Sequence, residues 1–172
     1  MTSYRIRHIA SMILALAVVM PLSFIIVSCD STCDDNRNTL PLAGFYAMVE
    51  GKMQSVSVDS LQIVGLGAPG DSILSDMHSM ASTVHLPFRI DQDETAYDFI
   101  ARKDKNTSIH DKVIFRYSRV PQFVSQECGV SYRFNINQIS WEGAFIDSVT
   151  CPKGYIDNHP LENIHIYFHV TK

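Results

Sequence analysis

Beyond residue 40 the chain alternates. Val130, Tyr132, Phe134 and Ile136 are separated by Ser131, Arg133, Asn135 and Asn137. Ile164, Ile166, Phe168 and Val170 are separated by His165, Tyr167 and His169, and Val113, Phe115 and Tyr117 by a mostly polar set. Successive side chains of a strand point to opposite faces, so this grain predicts half-buried strands over 112–118, 130–137 and 164–170. Further strands are expected at about 42–50, 54–64, 82–90, 95–102 and 144–151. Turn chemistry falls between them at Gly65, Gly67, Pro69-Gly70, Lys103–Asn106, Cys128-Gly129, Pro152–Gly154 and Asn158–Pro160. Helical periodicity is poor; only Asp71–Met80 suits a short helical or irregular crossover. The expectation is an all-β domain, an antiparallel β-sandwich with the immunoglobulin arrangement as one form of it and a small barrel as the second choice. Val58-Asp59-Ser60-Leu61 and Ile146-Asp147-Ser148-Val149 place two polar residues between apolar ones, which predicts a bulge or bend in each. A shared binding edge is the alternative reading of these two stretches.

The first 28 residues have a different pattern. Arg5 and Arg7 precede a run from Ile9 to Val27 with no formal charge, the parts of a secretory signal. A run of that length also suits an uncleaved membrane anchor. Ile26-Val27-Ser28-Cys29 decides between them, because it resembles the bacterial lipobox. A thiol at the membrane surface attacks a diacylglycerol donor, and a small residue, Ser28, precedes the scissile bond. Residues 1–28 then form a cleaved lipoprotein signal peptide and residues 29–39 a lipidated cysteine with a polar tether. Residues 40–172 form one domain. Two or three acyl chains hold a protein durably where one does not. The covalent lipid on Cys29 is the only cofactor-like group expected.

Cleavage leaves 144 of the 172 residues, enough for one domain with a proper core. Losing Arg5 and Arg7 leaves 12 Lys and Arg against 18 Asp and Glu, a formal charge of −6. That balance argues against nucleic acid as a partner. It argues equally against attachment to anionic lipid by charge alone. Outside the cytosol, Cys33, Cys128 and Cys151 give one disulfide and one leftover thiol. Cys33–Cys128 is the favoured pair and Cys128–Cys151 the alternative. There is no C-x-x-C, and no two of these cysteines are spaced for zinc.

Reactive chemistry is thin. Gly70-Asp71-Ser72 resembles the nucleophile block of GDSL-type hydrolases, but no Asp-x-x-His follows; Glu162-x-x-His165 is the nearest analogue. A serine without its base is not activated, so no catalytic residue is expected. His165 and His169 lie roughly 13 Å apart on a strand, too far to share a metal. His165 and Tyr167 with His159 remain a weaker combination, and no metal is expected. Asp91-Gln92-Asp93-Glu94 suits an acidic turn better than a calcium loop, since an EF-hand glycine and distal glutamate are missing. Arg102, Arg116, Arg119 and Arg133 read as solvated arginines rather than an anion site. Trp141, beside Phe145, reads as core rather than a carbohydrate platform.

A wider resemblance gathers these stretches. Val58-Asp59-Ser60-Leu61, Gly65-Leu66-Gly67, Leu86-Pro87, Phe123-Val124-Ser125, Glu127-Cys128-Gly129, Ile146-Asp147-Ser148 and Glu162-Asn163-Ile164 with Ile166-Tyr167-Phe168 resemble an uncharacterised lipoprotein family of Gram-negative bacteria, domain of unknown function sixty-four fifty-two. The resemblance spans nearly all of the mature chain. It implies an outer-membrane lipoprotein, and it supplies no catalytic residue. Cys33 and Cys128 fall where that family places cysteines, and Cys151 is extra. The expected role is a non-enzymatic binding or envelope-assembly module, lipid-anchored in the outer membrane and facing either the periplasm or the outside. Its expected partner is another envelope or outer-membrane protein. A small-ligand or glycan carrier using Trp141 and Tyr155 is the alternative, and an esterase using Ser72 the more remote one.

Overall fold

A computed structural model describes residues 39–68, 72–76, 80–104, 107–126, 128–157, 159 and 161–169. These form two mostly antiparallel sheets packed face to face, with no helix among the described residues. The signal region, the lipobox, Cys29, Cys33, Gly70 and Asp71 lie outside the described residues.

The first sheet contains β1 (Leu42–Val49), β2 (Lys52–Ser55), β5 (Thr83–His85), β9 (Ile146–Thr150) and β11 (Glu162–Phe168). The second contains β3 (Leu61–Leu66), β4 (Ser72–Ser75), β6 (Glu94–Asp104), β7 (Thr107–Ser125), β8 (Gly129–Glu142) and β10 (Tyr155–Ile156). Their orders are β2-β1-β11-β9, with β5 also on β1, and β10-β8-β7-β6-β3-β4. This differs from the four-plus-three division of an immunoglobulin constant-type domain. The first and last strands, β1 and β11, pair in parallel, Phe45 opposite Ile166.

Alternation builds the core. Ala43, Phe45 and Ala47 from β1 and Ile164, Ile166 and Phe168 from β11 face Ile63, Tyr97, Phe99, Val113, Phe115 and Phe134 across the sandwich. Phe88 stacks on Tyr117 at 4.7 Å and meets Phe115 and Phe134 at 5.1 and 5.4 Å.

Several expected elements change. The single strand expected over 54–64 is two strands in different sheets. The chain crosses between them at Val58, bridged to Ala81, and at Ser60, whose φ of 58° is left-handed. Asp59-Ser60 is therefore a bend. In the matching Ile146–Val149 stretch, Tyr167 pairs with Ser148 and Phe168 with Ile146, leaving Asp147 as a bulge.

The strand expected over 82–90 stops at His85, because Pro87 has no N–H to donate. Leu86 and Phe88 instead wedge into the core, and hydroxyls secure the strap. Tyr97 donates to the Pro87 carbonyl at 2.6 Å and Tyr117 to that of Arg89 at 2.9 Å. Burial pushes both tyrosine hydroxyls up, so they remain donors. The helical crossover expected over Asp71–Met80 contains the edge strand β4, zipped onto β3 at Gly65 and Val64.

Asp111 closes one end of the sandwich. Its side chain is fully buried, and its carboxylate accepts the backbone N–H groups of Ala144, Phe145 and Ile146 at 2.7, 2.9 and 2.7 Å. A residue of β7 thereby fixes the start of β9 in the opposite sheet.

Candidate functional site

The most concentrated polar chemistry lies on the outer face of the first sheet. The alternation that turns Phe45 inward turns Gly44, Tyr46 and Met48 outward, and on β11 His165 and Tyr167 share that face. Glu162 joins them by an irregularity. On a regular strand, residues 162 and 165 would point to opposite faces. The register shifts between Leu42 and Ala43, opposite Glu162 and Ile164, so Asn163 is the extra residue. Its side-chain oxygen accepts the Leu42 N–H at 3.3 Å. The bulge brings Glu162 round beside His165.

Gly44 makes room for it. A Cβ at position 44 would sit 2.2 Å from the Glu162 carboxyl carbon. Tyr46 donates its hydroxyl to Glu162 Oε1 at 2.6 Å, and His165 Nε2 lies 3.1 Å from the same oxygen. His165 Nδ1 is 3.3 Å from the Tyr167 hydroxyl. The Tyr46 ring lies 4.9 Å from the His165 ring and 5.7 Å from that of Tyr167. The hydrogen bond to Glu162 does most to push the Tyr46 pKa up to about 12, helped by desolvation and the carboxylate charge. The result is a carboxylate held by one phenol and an imidazole, with the Tyr167 phenol on the far side of that imidazole, on a half-exposed sheet surface. Met48 and Met53, a cross-strand pair 55% and 49% exposed, extend the face toward the edge strand β2.

The other candidate residues are dispersed. Ser72 is exposed on the edge strand β4, and no histidine occurs among the described residues lining its cleft of about 160 Å³. His169 pairs with Asp147 at 3.2 Å and His159 with Asp157 at 3.1 Å, so neither joins His165. Among the described residues no group of three or more His, Cys, Asp or Glu could hold a metal ion.

The acidic turn is neutralised by arginines. Asp91 meets Arg89 at 2.8 Å, Asp93 meets Arg119 at 2.9 Å and Glu94 meets Arg116 at 2.7 Å. The Arg89 guanidinium holds the Asp91 carboxyl below its ordinary range. Arg116 and Arg119 are thus committed to carboxylates, while Arg133 lies 5.5 Å over the Tyr155 ring. Arg102, opposite Ser108, sits at the other end of β6 from the Glu94–Arg116 pair, so Arg102, Arg116, Arg119 and Arg133 do not converge.

Trp141 corrects an expectation. It leaves 39% of its surface exposed at the end of β8, opposite Val113. Phe145 packs instead against Phe168, rings stacked at 6.1 Å. Cys151 is a free thiol that burial pushes up in pKa, so the alternative Cys128–Cys151 bond is not formed. Cys128 is disulfide-bonded.

Glu162-x-x-His165 was visible in the sequence, whereas the bulge that makes it a pair was not. Tyr46 was missed altogether. Its signal is the Gly-x-Tyr alternation of β1, which has meaning only beside β11.

The fold and this face define a class: a two-sheet all-β domain with an aromatic, carboxylate-centred platform on one outer surface. The chain belongs to a family of unknown function, DUF6452, whose model matches residues 60–168. The match is shorter than the chain, and β1 and β2 lie ahead of it. No curated protein and no solved structure matches the chain.

Proposed function

We propose that the protein is an outer-membrane lipoprotein whose β-sandwich is a non-enzymatic binding or envelope-assembly module. Cys29 carries the diacylglycerol anchor after cleavage at Ser28. The observation that carries the binding role is the Tyr46–Glu162–His165–Tyr167 platform. Its phenol and imidazole rings offer large contact area at low entropic cost, and the central carboxylate suits a lysine or arginine of a protein partner. The exposed Met48–Met53 pair widens that surface with side chains that adapt to a partner's shape. Anchoring removes much of the cost of finding a partner in the same membrane.

A Cys33–Cys128 bond belongs to the same reading. With Cys29 carrying lipid and Cys151 free, Cys33 is the cysteine left for Cys128. The test is crosslinked pull-down of the native lipoprotein from membranes, with mass spectrometry of the captured partner and of the N-terminus. A diacylglyceryl mass on Cys29 is expected, with one partner captured and lost in Glu162→Ala and Tyr167→Ala variants. Capture unchanged in both variants would refute the platform. An unmodified Cys29 would refute the anchor.

A ligand carrier has one observation in its favour. An open cleft of about 470 Å³ lies at the ends of β1 and β11 against the β2–β3 connection, lined by Val49, Val58, Phe145, Phe168 and His169 among others. Neither Trp141 nor Tyr155 is among its described lining residues, so a glycan would stack elsewhere than those two rings. Native mass spectrometry of membrane-extracted protein tests this, a co-purifying small molecule being the expected sign.

A further inference from the structure

The two oxygens of the Glu162 carboxylate are not equivalent. Oε1 accepts the Tyr46 hydroxyl at 2.6 Å, and His165 Nε2 stands 3.1 Å from the same atom. Oε2 has no hydrogen-bond partner among the described residues. Both oxygens lie across the bare backbone of Gly44, where a Cβ would overlap them. The sheet therefore backs the carboxylate, and the side chain keeps 28% of its surface open to solvent. Asp91, Asp93 and Glu94 each have an arginine, whereas no lysine or arginine pairs with Glu162 among the described residues. A half-buried carboxylate with one open oxygen and no cation of its own is complementary to a cation from outside.

The two cationic side chains of proteins ask different things of such a site. A guanidinium docks on a carboxylate as a fork, with parallel N–H bonds to both oxygens. Here a phenol and an imidazole flank Oε1, so a fork finds only one oxygen open. An ammonium is a compact point charge and needs only one. Its apolar stem needs a surface to lie on. The half-buried Tyr46 ring supplies it, with the Tyr167 ring 5.7 Å away and Met48, paired with Met53, next on the same face of β1. The α-ammonium of a chain terminus has no such stem.

Resting on the platform proposed above, we infer that it reads a single lysine side chain of the partner protein, whose ε-ammonium donates end-on to Glu162 Oε2, and that Tyr46 sets the preference for lysine over arginine by occupying Oε1. Tyr46 is thus a specificity-determining residue that acts through Glu162. Its hydroxyl holds the carboxylate so that one oxygen is spent and the other is presented.

The test titrates the full chain in detergent micelles with the methylamides of N-acetyl-lysine, N-acetyl-arginine and N-acetyl-trimethyl-lysine. Each probe carries one charge, so the acidic surface as a whole acts alike on all of them. Ring signals of isotope-labelled tyrosine are followed by NMR at about pH 8, above the range in which imidazoles take up charge. The lysine amide is expected to bind about tenfold more tightly than the arginine amide. Trimethyl-lysine keeps the charge but has no N–H, and is expected to bind no better than arginine. Glu162→Gln is expected to abolish the lysine response. Tyr46→Phe keeps the ring and opens Oε1, so arginine should gain and the preference should shrink to about threefold or less.

Equal binding of lysine and arginine by the native protein overturns the inference, as does a preference unchanged in Tyr46→Phe. Trimethyl-lysine binding as tightly as lysine also overturns it, since a charge over an aromatic ring would then suffice. No response to any of the probes overturns it as well, and the platform still stands if partner capture is lost in Glu162→Ala and Tyr167→Ala. Capture unchanged in those variants overturns the platform and this inference together.

Discussion

Asp111→Ala removes the acceptor of three backbone N–H groups at 2.7–2.9 Å, one of them on the buried Ile146. A buried donor left without an acceptor costs about 1–3 kcal/mol, and bonds to an ionised carboxylate stand at the strong end. Water can reach the partly buried Ala144 and Phe145 amides, so the three do not sum in full. The expected loss is about 3–5 kcal/mol, a fifth or more of the stability of an ordinary domain. Asp111→Asn keeps one oxygen but turns an amide donor toward a donor, so it should fall between Ala and the native residue.

Urea unfolding of the full chain, followed by near-UV circular dichroism, measures the loss. Amide exchange at 144–146 should accelerate ahead of the rest. Gly143 provides a second handle. A Cβ there would lie 1.9 Å from the Asp111 carboxylate, at a φ of 152°. Gly143→Ala is therefore destabilising in the native protein and less so, by at least about 1 kcal/mol, when Asp111 is already alanine. An Asp111→Ala protein within about 1 kcal/mol of native would refute the clamp.

Three further outcomes are expected. Phe88→Ala, which empties the site between Phe115, Tyr117 and Phe134, should cost about 3–5 kcal/mol in the same urea assay, and a cost near zero would mean the strap is not part of the core. In a spectrophotometric titration one tyrosine should ionise near pH 12, and Glu162→Gln should move it back toward the ordinary value. Because the folded-state pKa lies above the unfolded one, the stability from the Tyr46–Glu162 bond is fully present below about pH 10 and lost as pH rises toward 12; an unchanged titration in Glu162→Gln would refute the pairing. Cys128→Ser should lower stability by up to about 4–5 kcal/mol on the chain-entropy model for a long closed loop, whereas Cys151→Ser should not; equal effects would show that Cys128 closes no such loop.

Strand positions and their faces come from the sequence itself. Alternation is a local code: Val113, Phe115 and Tyr117, or Ile164, Ile166 and Phe168, need only a pleated backbone and one buried side to declare which way they point. The two Asp-Ser pairs likewise announced a break in the pleat. Local patterning does not name a strand's neighbour. The parallel joining of β1 to β11 brings together residues more than a hundred positions apart, and only that pairing makes Gly44 and Tyr46 part of a site. The same holds where alternation lapses. Whether Asp59-Ser60 bends the chain into another sheet, or Asn163 bulges and swings Glu162 round to His165, depends on the opposing strand. Asp111 looked like one more polar residue on a strand; it became a clamp because the opposite sheet delivers three unpaired amides to its carboxylate. Hydrophobic period sets the inside and outside of each strand, while the long-range hydrogen bonds of the assembled sandwich decide which polar groups meet.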